Sequence, residues 1–350
     1  MKFRLSAIGV AVALLVIGIP LAMFVAAKVL PSNQQTQTNS QSGNYRISGP
    51  YTYENLSIYL VHGRDTLDGQ RFLTLQEAME KGVVIVHETK DVNELAIENV
   101  SKDEEVYVQS GDIVKGGQQD RMLAVDLIVP PRSGKIPIAA FCVESGRWSR
   151  RGGETAVKFE SSNDRVATRE LKLAATKSQT EVWAKVSEAQ EKLSVNVKAP
   201  VNSTASASSL QLSLENGKVK EFTDKYVQKL ASILEGQPDV VGYAFAINGK
   251  VNSADVYGSS ALFRKLWPKL LKASAVEAVA ELQKDKRFET VKADSVKTFM
   301  EGADDGRASE NEVTNRIKMV TRETDKNVVF ETIDQKQKDA VLHRSYVNKQ

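Results

Sequence analysis

Hydrophobic positions fall into three regimes along the chain. Residues 5–27 carry no charge and are rich in Leu, Ile, Val and Ala; residues 32–44 carry no apolar side chain; beyond them apolar positions alternate or recur at helical spacing. The first stretch is long enough to cross a hydrocarbon core of roughly 30 Å as a helix. Lys2 and Arg4 precede it, so the positive-inside tendency keeps the N-terminus cytoplasmic and sends the rest of the chain across. Val25 and Ala27 offer a weak cleavage site, which leaves a removed signal peptide as the alternative. Pro20 sits within the segment, where a membrane helix tolerates a kink. The polar stretch cannot repay the entropy of ordering. The expected organisation is therefore a signal-anchor or signal peptide over residues 1–30, a disordered tether over 31–47, and one body over 48–350 that is extracytoplasmic on a single-pass anchor, or secreted after cleavage.

Within the body, the run Asn55-Leu-Ser-Ile-Tyr-Leu-Val61 predicts a strand, and Thr74 with Glu77 is a capping-box signature for a short helix over 75–81 that Gly82 stops. Strand patterns follow at 83–86, 92–100, 105–109 and 121–129, the last ending at Pro130-Pro131. In the run 136–144, alternation places Ile136, Ile138, Ala140, Cys142 and Glu144 on one face and Phe141 and Val143 on the other, both reading as buried until Glu144. Helical spacing appears over 179–193 and 221–234, a small polar loop over 202–209, and a helix from Ser259 or Ser260 to about 282. Val240 to Tyr257 around Asn248-Gly249 predicts a hairpin with a type I′ turn, because both central residues must take positive φ. A further helix is expected near 295–300 and a second hairpin around Asp325-Lys326-Asn327. The fold class is α+β: a sandwich-like or open-barrel half (β-rich, 48–160) followed by helices and a β-hairpin (mixed, 161–350).

Composition narrows the chemistry. In 350 residues, 47 Lys and Arg balance 44 acidic residues with the signs interspersed, so no nucleic-acid groove is expected. Cys142 is the only cysteine, which excludes an internal disulfide and a multi-thiolate zinc site. His62, His87 and His343 show no metal-ligand spacing, and nothing calls for a metal or a cofactor. The cluster Gly111-Asp-Ile-Val-Lys-Gly-Gly-Gln-Gln-Asp-Arg121 is a glycine-rich loop joining two strands, and Gly116 and Gly117 would let backbone approach a ligand. It lacks the Lys-Ser/Thr ending of a P-loop. Cys142-Val-Glu-Ser-Gly-Arg147 is one residue short of a cysteine-phosphatase loop, and Glu144 would repel a phosphate there; Cys142 reads as structural. Glu144 could act as general base, Arg147 could bind an anion and Trp148 could stack on a ring; the plainer reading is an ion pair beside a packing tryptophan.

Together, Gly111 to Arg121, Ile136-Pro137 and Cys142-Val-Glu-Ser-Gly-Arg-Trp148 resemble the bacterial ARG and rhodanese-phosphatase-superfamily-associated domain family, in which ARG denotes ADP-ribosylglycohydrolase. The resemblance extends to Thr74-Leu-Gln-Glu-Ala78, Lys81-Gly82, residues 179–183 and residues 241–262, and so covers most of the chain beyond the tether. The family more often carries Asn where Asp120 stands. The resemblance implies a link to ADP-ribose, NAD-derived or sugar-phosphate ligands, with Gln119, Arg121, Glu144, Arg147 and Trp148 matching the motif. The expected ligand-binding set is Gly116, Gly117, Gln119, Arg121, Glu144, Arg147 and Trp148. The expected function is a membrane-anchored ligand-binding or accessory domain. Its rivals are a hydrolase using Glu144 or Asp112 as acid or base, and a structural envelope protein; no nucleophile has an evident base partner, which favours binding. Arg121 and Glu144 are expected to converge as a charge-assisted pair, since a short connection would place the start of one strand beside the end of the next.

Overall fold

The computed structural model describes residues 45–350 apart from 68, 90, 148, 150, 153–158 and 167. The expected anchor, the tether to residue 44 and Trp148 lie outside the described residues. Among the described residues no helix is long and apolar enough to cross a membrane.

A hairpin of β1 (Arg46–Tyr53) and β2 (Leu56–His62) opens the body. Next, β3 (Phe72–Thr74) feeds α1 (Leu75–Glu80), where Thr74 Oγ1 accepts from Glu77 N and Thr74 N donates to the Glu77 carboxylate, the reciprocal box expected from the sequence. After β4 (Val84–Glu88), β5 (Glu94–Asn99) and β6 (Glu105–Val108), the glycine-rich cluster is largely hairpin: β7 (Asp112–Gly116) and β8 (Arg121–Leu123) flank a four-residue tip. The single strand expected over 121–129 is two. It breaks after Leu123, where Ala124 N donates to Ala139 O and Asp126 turns back to accept from Ser110 N, so that β9 (Leu127–Val129) joins a different sheet. β10 (Lys135–Cys142) pairs with β5 along its first half and β8 along its second. Its expected burial on both faces holds only from Ala140 on, because Pro137 and Ala139 are exposed where it leaves the cover of the core. β11 (Phe159–Arg165) closes this half.

The helices α2 (Arg169–Ala175), α3 (Gln179–Val197), α4 (Leu210–Leu214) and α5 (Gly217–Leu230) follow, the 221–234 pattern ending in a separate 3-10 turn. β12 (Val240–Ile247) and β13 (Lys250–Tyr257) form the expected hairpin, with Asn248 at φ 52° and Gly249 at φ 72°. Ser259 caps α6 (Ser260–Ala280), and α7 (Ala293–Asp304) precedes a meander of β14 (Arg307–Glu312), β15 (Ile317–Glu323), β16 (Asn327–Asp334) and β17 (Ala340–Asn348).

The fold is thus α+β, and its two sequence halves share one sheet. An antiparallel sheet of eight strands runs β1-β2-β12-β13-β17-β16-β15-β14, so β2 from the first half pairs with β12 from the second. Six strands run β11-β7-β8-β10-β5-β4 and three run β3-β6-β9. Alternation divides the large sheet between two cores. Tyr59, Val61, Ala244 and Val256 pack with Val296, Phe299 and Met300 of α7, whereas Ile58, Leu60, Tyr243, Phe245 and Tyr257 belong to the core of α6 and the other sheets. On that second side Thr332, His343 and Tyr257 are cross-strand partners in one row, and Phe330, Ser345 and Asp255 in the next.

Candidate ligand site

The β7–β8 hairpin brings the two motif segments together. Cys142 lies opposite Arg121, and Val143 N donates to Asp120 O. The predicted pair between Arg121 and Glu144 does not form. Arg121 donates to Val92 O and reaches Glu88 at 3.4 Å, because in a strand it shares the Cys142 side, where β4 and the 92–93 backbone are the neighbours. Glu144, fully buried, accepts instead from Arg147 Nε at 2.7 Å and Asp120 N at 3.1 Å. The centre of the network is Asp120, to which the sequence assigned no ligand role. Its carboxylate takes a bidentate contact from Arg151 at 2.8 and 3.1 Å, Ser209 Oγ at 2.8 Å and Gly116 N at 3.0 Å. Gln119 donates to Glu144 O, and Arg147 also donates to Gly116 O and Gly117 O.

These contacts join the hairpin tip, the segment after β10 and the start of α4. Gly117 sits in close packing: a Cβ there, at φ 55°, would stand 2.4 Å from the Phe159 ring. Cys142 is fully buried and its thiol is pushed up to about 11 by burial, with Arg121 opposing, which suits a structural side chain. Asp112 is elsewhere. It lies four residues from Gly116, about 13 Å along β7, and its carboxylate pairs with Lys269 at 2.9 Å. Glu144 and Asp112 are therefore not brought together as a carboxylate pair across one bond.

A cavity of about 450 Å³ lies on the opposite side of the same strands, between them and the large sheet. Met122, Phe141, Leu173, Met319, Val328 and Phe330 supply apolar wall; Asp126, Arg165, Lys172, Thr332 and His343 supply a charged end. Alternation explains the division, since Met122 and Phe141 point into the cavity while their chain neighbours Arg121 and Cys142 point away, towards the Val92 carbonyl. Volume and lining fall in the range of small-molecule sites.

His343 organises the charged end. Its Nδ1 lies 2.6 Å from Asp126 Oδ2, its Nε2 lies 3.1 Å from Asp255 Oδ1, and the Tyr257 ring stacks on it at 4.5 Å. Burial would lower the imidazole's pKa, but the two carboxylates hold it up at about 8. Asp255 is pushed up by burial and more strongly down by Lys172, His343 and Arg165, and ends well below the usual carboxylate range. Lys172 Nζ stands 3.6 Å from Asp255 Oδ2, and burial brings its ammonium below the ordinary lysine value against the pull of Asp255. Arg165, 4% exposed, donates to Ser110 O while its Nε has no hydrogen-bond partner. Next to the cavity, Glu277 accepts from Asn252 and Arg169 N, and burial raises it to about 7.

Sequence reasoning missed Asp126, Arg165, Lys172 and Asp255 and left His343 without a role. A signal existed for one of them: Asp126 interrupts the apolar run 122–129. Among the described residues no cluster of His, Cys, Asp and Glu could hold a metal ion.

The family model of the ARG and Rhodanese-Phosphatase-superfamily-associated Protein domain matches residues 44–347. No curated protein and no solved structure matches the chain. The match takes in both halves of the large sheet, the motif network and the cavity, and the chain belongs to the ARG and Rhodanese-Phosphatase-superfamily-associated Protein domain family.

Proposed function

We propose that this chain is a ligand-binding or accessory domain, held at the extracytoplasmic face of a membrane by residues 5–27, and that its ligand is a small molecule bearing an anionic group. The ADP-ribose, NAD-derived and sugar-phosphate classes are the first to test. The observation that carries the reading is the cluster of cationic donors at the cavity end: Arg165, Lys172 and His343 stand together beside Asp126 and Asp255, with Glu323 also in the wall of a largely apolar chamber. Converging cationic donors in an enclosed site suit an anionic group. Binding rather than hydrolysis is favoured because Glu144 is wholly engaged with Arg147, Arg151 and Asp120 N.

A thermal-shift screen of the full chain in detergent, with ADP-ribose, NAD and sugar phosphates, tests this. Saturation to about 100 times Kd adds about 2.7 kcal/mol, a rise of roughly 5–10 °C for a body of this size, and Lys172→Met should abolish it. No shift with any of these ligands would defeat the proposal as stated. For the location, protease added to intact cells is expected to cut within residues 32–44; protection of that segment until the cells are lysed would place the body in the cytoplasm.

A further inference from the structure

We infer that Lys172 is a nucleophilic amine, and that the cavity captures an aldehyde carrying one anionic group by forming a reversible imine with it. The inference rests on the cavity being the ligand site. Three observations carry it. Lys172 lines the cavity from α2 yet is only 14% exposed, so its amine faces ligand space rather than bulk water. Lys172 supplies the one primary amine among the residues that line the cavity, and it stands at the same end as Arg165 and His343. Asp255 Oδ2, at 3.6 Å, has no hydrogen-bond partner, so the carboxylate stands beside the nitrogen without locking it, ready to face the charge of an iminium.

The Lys172 ammonium gives one proton to solvent, and the neutral nitrogen attacks the carbonyl carbon, forming a C–N bond and a carbinolamine. The carbonyl oxygen then leaves as water, taking the second amine proton and one proton from solvent. The C–O bond breaks and an iminium remains. It carries the charge the ammonium had, beside the same carboxylate, so the site's net charge is unchanged. Arg165, with its free Nε, and the remaining charged end would hold the ligand's anionic group, and Phe141, Phe330 and the methionines its carbon body. Burial acts in the same direction on the amine, and each unit of depression raises its neutral fraction about tenfold near neutral pH.

The test uses pyridoxal 5′-phosphate as probe and its alcohol counterpart pyridoxine 5′-phosphate as a control without a carbonyl. The full chain is incubated with limiting probe, reduced with cyanoborohydride, digested and mapped by mass spectrometry. Lys172 should be the dominant adduct, ahead of exposed lysines such as Lys218 and Lys225, and an imine absorbance should appear before reduction. Lys172→Arg keeps the charge beside Asp255 but cannot form the imine, so it should lose adduct and absorbance while staying folded. Adducts confined to exposed lysines, or an unchanged yield in Lys172→Arg, would overturn the inference. Stabilisation by the alcohol with no Lys172 adduct from the aldehyde would leave the cavity as a binding site and refute the imine. An inert cavity towards both compounds would count against the imine, while the ADP-ribose, NAD and sugar-phosphate screen would still decide the binding reading.

Discussion

Asp120→Ala is expected to destabilise the body by about 3–5 kcal/mol, the loss that follows when one partner of a buried ion pair is removed and the other is left behind. The carboxylate is fully buried and accepts from Arg151 twice, from Ser209 Oγ and from Gly116 N, so truncation removes the bidentate partner of a buried guanidinium together with the acceptor of a hydroxyl and a backbone N–H. Asp120→Asn retains one acceptor oxygen and should lose less, roughly 1–3 kcal/mol. A double-mutant cycle separates a network from a sum: Asp120→Ala with Arg151→Ala should show a coupling of roughly 1–3 kcal/mol. The corresponding cycle on Arg121 and Glu144 should show a smaller coupling, because Arg121 spends its guanidinium on Val92 O and Glu88. Equilibrium denaturation decides the matter. A denaturation midpoint in Asp120→Ala equal to that of the parent would mean that the network does not hold the hairpin to the rest of the fold.

What the sequence disclosed follows from how local each signal is. The capping box at Thr74, the type I′ turn at Asn248-Gly249 and the cap at Ser259 are settled within a few residues, and all three stand where the spacing puts them. Convergence of the motif segments was legible too, since β8 and β10 do pair antiparallel, although the chain between them passes through β9 in another sheet. The partner of each charge was not. Whether Arg121 meets Glu144 or Glu88 depends on β4, more than thirty residues upstream, and the pairing of Asp120 depends on Arg151 and Ser209, which no periodicity links to it. The cavity was hidden for the same reason. Its charged side chains come from β11, α2, β13, β17 and the break after β8, five places in the chain, and only the strand order of the large sheet brings Asp255 and His343 to one face. The polar motif drew the eye to one side of β8 and β10, while the space for a ligand opens on the side of Met122 and Phe141.

The buried charges also set how stability depends on pH. Glu277, raised to about 7, and His343, raised to about 8, both bind a proton more tightly in the folded chain than in the unfolded one. Such groups contribute stability that is fully present below their unfolded values, near 4.5 and 6.5, and lost as pH rises through about 7 and about 8. At about 1.4 kcal/mol per unit, the fall amounts to roughly 3 kcal/mol for Glu277 and roughly 2 kcal/mol for His343. Asp126 and Asp255 are shifted the other way, so their contribution is present above their unfolded values and is lost only in acid. Lys172, whose value is lowered, acts against the loss at the alkaline end. Stability should therefore be greatest near pH 5 and decline towards pH 8.5, as measured by denaturant unfolding at fixed temperature. Glu277→Gln keeps an acceptor oxygen for Asn252 and Arg169 N but cannot ionise, so it should remove most of the slope between pH 5 and 7.5 and leave the part due to His343. A stability flat across this range, or a Glu277→Gln profile parallel to the parent's, would show that the carboxyl is already charged and paired in the fold, and that its burial does not govern its proton.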